Sequence, residues 1–158
     1  MSRVKKLPHD IPPWVDPSRE IYFLTLNCAP RGTNQLALPN VAVRVFETIE
    51  FREEKGLWFC YLTLLMPDHL HMLVHFPEAI AGASDTHATA KPLRKIVSEW
   101  KGWVAKQLQI HWQDDFFEHR LRSDESRSEK ARYILENPVR AGLVQRVEDW
   151  PYSRVQGI

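Results

Sequence analysis

The feature that most constrains the fold is an apolar segment at residues 58–76, which the pair Pro67-Asp68 divides into two halves. Each half has the length and the apolar, aromatic composition of a buried β-strand. A short turn at Pro67-Asp68 would join the two strands as a β-hairpin. The same segment excludes a membrane span, because Asp68, His69 and His71 interrupt it before ~18 apolar residues accumulate.

Apolar patterning predicts further elements on both sides of this hairpin. Residues 40–55 carry apolar side chains at helical spacing and are followed by Gly56, a typical helix stop. Residues 91–108 give the clearest amphipathic helix, with apolar side chains on one face and mostly basic ones on the other. In chain order, the predicted elements are a strand at 21–28, a helix at 40–55, strands at 58–66 and 69–76, a helix at 91–108, a strand at 112–122 and a helix at 126–136.

This order of elements defines the expected fold class. The order β-α-β-β-α-β is the ferredoxin-like, split βαβ pattern, an α+β fold with an antiparallel sheet. The helix at 126–136 follows as an added C-terminal helix, which we expect an Asn-Pro pair to end. We expect one domain at 20–144, preceded by an extended, Pro-rich arm at 1–19 and followed by an irregular tail at 145–158. The polar segment at 77–90 is expected to be a flexible loop.

Composition and charge limit the cellular setting. The 158 residues have a net charge of +1 and are 11% aromatic, which excludes disorder for most of the chain. Two cysteines, Cys28 and Cys60, and an N-terminus without an apolar signal segment lead us to expect a cytoplasmic protein without membrane association. Basic residues outnumber acidic ones at 91–108 and 119–140, so the second half of the chain is suited to bind a polyanion.

Two histidines open the second strand of the hairpin and form the first candidate site. His69 and His71 are two residues apart, so in a strand their side chains project from the same face. Two imidazoles at this separation can bind one divalent ion. The alternative is a pair of half-exposed surface histidines without a ligand. His75 lies roughly 13 Å farther along the strand, too far to join the site, and is expected to be structural or at the surface.

The second candidate site lies on the helix at 126–136. Lys130, Tyr133 and Asn137 are three and four residues apart, which places them on one helix face. A phenol is a poor nucleophile near neutral pH, and a nearby cation or metal ion makes its attack more accessible. The alternative is a core tyrosine, with Asn137 serving only to end the helix before Pro138.

Three separate motifs together resemble a known family. They are Met-Pro-Asp-His-Leu-His at 66–71, Tyr-Ile-Leu-Glu-Asn-Pro-Val-Arg-Ala-Gly-Leu-Val at 133–144, and Asp-Trp-Pro-Tyr-Ser at 149–153. In this order they are similar to the REP-associated tyrosine transposases, which are single-tyrosine, HUH-type transposases of bacterial insertion sequences. The resemblance covers residues 21–153, nearly the whole chain. One departure is Arg154, which stands where the family often has a second serine.

The resemblance implies a reaction, a metal ion and a substrate. Members of this family have the ferredoxin-like fold, and they cut and rejoin single-stranded DNA at palindromes that fold as hairpins. By motif, Tyr133 is the nucleophile, and His69 and His71 hold Mg²⁺ or Mn²⁺ with Asn137 as a third ligand. Attack by Tyr133 leaves a 5′-phosphotyrosine and a free 3′-OH. The reaction implied by the family needs no ATP or other nucleotide cofactor.

Basic side chains in the second half of the chain are candidates for phosphate contacts, although each could belong to an ordinary solvated surface. The predicted DNA-binding residues are Lys91, Arg94, Lys95, Lys101, Arg120, Arg122 and Arg140. Two other functions stay open. One is a hairpin DNA- or RNA-binding module that no longer cuts, and the other is a metal-dependent phosphoesterase that uses water as its nucleophile. The assembly state, monomer or homodimer, is open as well.

Overall fold

A five-stranded sheet forms the centre of the computed structural model, which describes residues 20–77, 90–121 and 126–157. Each strand is antiparallel to its neighbours, so β1 runs parallel to β2 and β3 runs parallel to β4. The first four strands therefore interleave as two split βαβ units, which confirms the predicted fold class. In the spatial order of the sheet, the strands are β4 (Phe117–Arg120), β1 (Tyr22–Asn27), β3 (His69–His75), β2 (Phe59–Leu65) and β5 (Ser153–Val155).

Helices cover both faces of this sheet. Helix α1 (Pro39–Glu54) connects β1 to β2 and stops before Gly56, whose φ of 72° suits a residue without a Cβ. Helix α2 (Ala90–Leu108) connects β3 to β4, and α3 (Arg127–Leu135) and α4 (Asn137–Arg140) follow β4. Within the described ranges, we find no helix with both the length and the apolar character needed to cross a membrane.

The alternating side chains of the strands supply an apolar core on each face of the sheet. On the first face, Leu70 and Met72 of β3 pack with α1 and α2, and the predicted apolar stripe of α2 is buried there. On the second face, Leu73 packs with Ala131 and Ile134 of α3. Removal of apolar area from water, worth about 25 cal/mol per Å², holds the helices against the sheet. The sheet thus separates α3 from α1 and α2.

The C-terminal segment is more regular than the sequence pattern predicts. The prediction of an irregular tail at 145–158 is wrong, because Ser153–Val155 form β5 and pair with β2. A short 3₁₀ helix at Val147–Asp149 precedes this strand. The predicted arm at 1–19 and most of the predicted loop at 77–90 lie outside the described residues.

Two predicted boundaries also change. The strand predicted at 112–122 is confined to Phe117–Arg120, and Trp112 makes only an isolated bridge with Cys28. Helix α3 ends before Asn137 as predicted, but α4 begins at that residue. Proline is tolerated in the first turn of a helix, so the Asn-Pro pair ends one helix and starts the next.

Candidate active site

The second face of the sheet brings the predicted histidines close to the helix that carries the predicted tyrosine. His69 and His71 project from β3, with ring centroids 5.0 Å apart. The ring centroids of Phe23 on β1 and His71 are 5.3 Å apart. The ammonium of Lys130 on α3 lies 4.6 Å from the centroid of the same Phe23 ring. Strand alternation and the packing of α3 therefore place both predicted constellations on one face.

Polar groups around His69 fix the orientation of its ring. Nδ1 of His69 lies 2.8 Å from Oδ1 of Asp68, in the turn between β2 and β3. The other carboxylate oxygen accepts a hydrogen bond from the Gly32 N–H at 2.7 Å and lies 3.3 Å from Nε of Arg31. Partial burial raises the pKa of Asp68, but His69, the Gly32 N–H and Arg31 outweigh it and hold that pKa below its usual range. When Nδ1 of His69 carries the ring proton and donates it to an ionised Asp68, the lone pair of Nε2 is left for a ligand.

Burial decides the charge of His71. It lowers the pKa of His71 to about 3, and the nearby His69, Lys130 and Arg140 act in the same direction. The imidazole is therefore neutral near pH 7, which is the form that binds a metal ion. Nδ1 of His71 lies 2.9 Å from Oγ1 of Thr25 on β1. When Nδ1 carries the proton and donates to Thr25, Nε2 is left as the metal-binding atom.

Tyr133 lies on the solvent side of α3. Its side chain is 60% exposed, so the interpretation as a core tyrosine is wrong. The neighbouring Ala131 and Ile134 pack into the second core and hold the helix on the sheet. The Arg140 guanidinium lies 4.2 Å from the Tyr133 ring centroid, and the Lys130 ammonium lies 5.7 Å from it. An exposed phenol flanked by two cations is open to approach by an anionic phosphodiester.

Asn137 contributes an amide oxygen at the junction of α3 and α4. Its side-chain N–H donates to the Ile134 carbonyl at 2.8 Å, which leaves the amide oxygen as the group able to bind a cation. No cluster of three His, Cys, Asp or Glu side chains suited to a metal ion occurs in the part of the chain that the structure describes. The predicted donor set of two imidazoles and one amide oxygen still fits a divalent ion, since nitrogen and oxygen ligands both serve such ions.

Lys101 does not occupy its predicted position. We expected it on the exposed face of α2, but it is only 8% exposed, and its ammonium donates to the Gln113 carbonyl at 2.9 Å. Burial lowers the pKa of Lys101. Its side chain joins α2 to the segment before β4. Of the other predicted DNA contacts, Lys95 is exposed on α2, whereas Arg122 and the side chain of Lys91 lie outside the described residues.

Two further predicted DNA-binding residues lie beside carboxylates. The Arg94 guanidinium is 3.0 Å from a carboxylate oxygen of Asp115 and 3.5 Å from one of Glu118. Arg120 of β4 lies 2.9 Å from Glu20. Surface ion pairs are weak, so a phosphate can compete with either carboxylate. The roles of Arg94 and Arg120 in DNA binding stay predictions.

Sequence analysis missed three residues that surround the histidines. Phe23 and Thr25 lie on β1, and Thr25 pairs with His71 across the β1–β3 ladder. Arg31 follows in the next loop and lies beside the carboxylate that holds His69. Alternation within the predicted strand at 21–28 places Phe23 and Thr25 on one face, so a prediction of the β1–β3 pairing would have found both.

The fold and the site together define an α+β protein of ferredoxin-like topology that carries an exposed tyrosine and two histidines on one sheet face. No family model matches the chain. Over 137 residues, the chain is 31% identical to a REP-associated tyrosine transposase of Escherichia coli (strain K12), covering 84% of this chain and 74% of that protein. The chain belongs to the family of REP-associated tyrosine transposases.

A second relative agrees with this assignment, and a solved structure shares the fold. A Haemophilus influenzae protein (strain Rd) that carries the same family name is 33% identical over 95 residues, which is 56% of this chain and 54% of that protein. The match thus spans about half the length of that relative. A solved structure, described as a REP-associated tyrosine transposase bound to a REP hairpin, has a TM-score of 0.63 and 22% identity. It covers 97% of this chain and 82% of its own, and this likeness concerns the fold.

Proposed function

We propose that this chain cleaves and rejoins single-stranded DNA at hairpins, with Tyr133 as the nucleophile. The observation that carries the proposal is the exposed phenol of Tyr133. This residue lies on α3, and α3 packs on the sheet face that presents His69 and His71. A transposase of this family acts on DNA, and the solved structure with the same fold is described as bound to a REP hairpin. These names support a DNA hairpin as the substrate class, and the single-stranded flanks are part of our proposal.

The phenolic oxygen of Tyr133 attacks phosphorus in line with the bond to the 3′ oxygen. As the new O–P bond forms, the P–O3′ bond breaks, the phenol loses its proton and the departing 3′ oxygen takes one up. The products are a 5′-phosphotyrosine and a free 3′-OH. Attack of a 3′-OH on the phosphotyrosine reverses both bond changes, so rejoining needs no nucleotide as an energy source.

His69, His71 and Asn137 are the residues that we propose to hold Mg²⁺ or Mn²⁺. When bound, the ion would supply Lewis-acid polarisation of the scissile phosphate. The choice of these two ions rests on the family resemblance, since imidazole ligands by themselves suit softer metals. Asp68 and Thr25 orient the two rings, so both Nε2 atoms are free of the hydrogen bonds described above.

Lys130 and Arg140 supply positive charge beside the nucleophile. Both lie within 6 Å of the Tyr133 ring centroid, and Arg140 is tied to α3 by its hydrogen bond to the Tyr133 carbonyl. We propose that they hold the phosphates next to the cleavage point. This contact is electrostatic and carries no sequence information.

Trapping of a covalent adduct tests the proposed function. The substrate is a labelled DNA hairpin with single-stranded flanks, taken from palindromes beside the coding region, and the products are separated on a denaturing gel. We expect an adduct with the unaltered protein in Mg²⁺ and none with Tyr133→Phe, which keeps the ring and loses only the hydroxyl. The matched control is Tyr152→Phe, which should form the adduct normally. Tyr152 is half-buried and packs on Trp150.

The other outcomes select between the alternatives. Equal adduct yield with Tyr133→Phe would mean that Tyr133 is not the nucleophile. Cleavage by the unaltered protein without any adduct would favour a phosphoesterase that uses water. Hairpin binding without cleavage would favour a module that only binds.

A further inference from the structure

Phe117 is a large apolar side chain that the fold leaves open. It lies on β4, at the edge of the sheet, and is 55% exposed. Its ring is therefore accessible to a ligand at the edge of the sheet. Phe51 on α1 is similarly exposed, at 54%, but it belongs to the opposite side of the sheet.

The position of Phe117 connects it to the candidate active site. It pairs in register with Thr25, the residue that contacts His71. The rings of Phe117 and Phe23 are in T-shaped contact, with centroids 6.1 Å apart, and Phe23 in turn contacts His71. Two strand spacings, about 10 Å in total, separate the β4 and β3 backbones, so Phe117 lies near the candidate active site.

Two cations lie beside these aromatic rings, and one of them, Arg140, also pairs with Glu136 at 3.3 Å. The Lys130 ammonium lies over the Phe23 ring, and Arg140 lies over the Tyr133 ring on the same face. The carboxylate of Glu118, the next residue on β4, pairs with Arg94 of α2 and so belongs to the opposite face. Aromatic rings beside cations form the usual surface for unpaired bases and their phosphates.

We propose that Phe117 is a stacking platform for one unpaired base of the DNA strand that enters the Tyr133 site. The proposal rests on the proposed function for its ligand class. The ring of Phe117 contacts the base, and Lys130 contacts the adjoining phosphate. Because stacking is tolerant of base identity, this contact fixes the position of the strand more than its sequence.

Fluorescence titration tests the platform without requiring cleavage. The probe is an oligodeoxythymidylate strand with one central 2-aminopurine, whose fluorescence falls when the base stacks on an aromatic ring. Phe117→Ala should weaken binding by about 5- to 150-fold, the range for loss of one stacked base, and should abolish the quenching. Phe117→Trp should retain both, whereas Phe117→Leu, which keeps apolar bulk for folding, should lose the quenching. Phe51→Ala is the matched control and should match the unaltered protein.

Adduct formation, measured on the same proteins, separates this proposal from the proposed function. Equal affinity and equal quenching for Phe117→Ala, Phe117→Leu and the unaltered protein would overturn the stacking platform, whether or not an adduct forms. Loss of quenching in Phe117→Ala and in Phe117→Leu, with an adduct still formed at saturating DNA, supports the platform and the proposed function together. The same loss, when the unaltered protein also forms no adduct, supports the platform and contradicts the proposed function.

Discussion

His69 and His71 lie side by side on β3, yet the fold holds their rings by different means. Asp68, in the turn that precedes β3, holds His69 through a contact between adjacent residues. Thr25 holds His71 through a contact between residues that are 46 positions apart. The first contact could be suspected from the Asp-His pair in the sequence, whereas the second depends on the register of β1 against β3.

At the residue scale, alanine at either histidine should remove divalent-ion binding. Each substitution takes away one of the few proposed donors, so we expect the Mn²⁺ affinity of His69→Ala or His71→Ala to fall by more than about 100-fold, beyond the ~10–100-fold effect of losing an outer partner. Isothermal titration calorimetry measures this affinity. His111→Ala removes an exposed histidine and should bind as the unaltered protein does. Unaltered affinity in either site variant would remove that residue from the donor set.

Thr25 provides a separate test of how the site is oriented. Thr25→Val keeps the shape of the side chain and removes the hydroxyl, which leaves Nδ1 of the half-buried His71 without this partner. We expect Mn²⁺ affinity to fall by about 10–100-fold, and Thr25→Ser to restore most of it. Mn²⁺ binding followed by calorimetry is again the measurement. A valine variant that binds Mn²⁺ normally would show that the hydroxyl does not orient His71.

At the scale of elements, β5 shows why short strands escape sequence analysis. It has three residues, which is too few for a period of two to be recognised, and it forms only because β2 offers an edge to pair with. Arg154 on this strand contacts both Glu50 and Glu53 of α1. The departure from the family motif at Arg154 therefore has partners in the fold that no local pattern reveals.

This ion pair predicts a stability effect. The Arg154 and Glu53 side chains are both nearly buried, so Arg154→Ala leaves a carboxylate with reduced compensation in the interior. We expect a loss of about 3 kcal/mol in the free energy of unfolding, measured with urea. Arg146→Ala removes an exposed arginine that pairs with Asp149 on its own segment and should cause no measurable change. Equal effects of the two substitutions would mean that the Arg154 pair does not anchor β5.

How well the other elements could be predicted depends on whether their sequence pattern is local. The hairpin strands predicted at 58–66 and 69–76 agree with β2 and β3 to within one residue at each end, because their apolar runs are bounded by a turn. Helix α2 buries its apolar stripe as predicted. Lys101 deviates because its ammonium finds carbonyl partners at residues 113 and 115, a tertiary contact that helical periodicity does not describe.

At the scale of the whole molecule, the sheet separates two surfaces, and each of them carries a lysine. Lys130 lies on the face with the histidines, and the exposed Lys95 lies on α2, on the other face. Spacing along the sequence grouped His69 with His71, and Tyr133 with Asn137. It could not bring these two pairs together, because their approach depends on α3 folding back onto the sheet.

The two surfaces should respond differently to loss of one cation. For a single strand without a stem, Lys130→Ala should weaken binding and reduce the slope of log affinity against log salt by about 0.7, the value for one phosphate contact. Lys95→Ala should leave both unchanged, because α2 faces away from Tyr133. Fluorescence anisotropy over a series of salt concentrations gives both quantities. An equal effect of Lys95→Ala would mean that the strand also runs over α2.

Mass spectrometry of the digested adduct tests most directly whether Tyr133 carries the DNA strand. Trypsin cleaves after Arg132 and Arg140, so Tyr133 begins the peptide Tyr133–Arg140. We expect this peptide to carry a nucleotide joined through its 5′ phosphate, with the peptides of the other tyrosines unmodified. A nucleotide on another tyrosine, or a free 5′ phosphate that has taken oxygen-18 from labelled water, would contradict Tyr133 as the nucleophile.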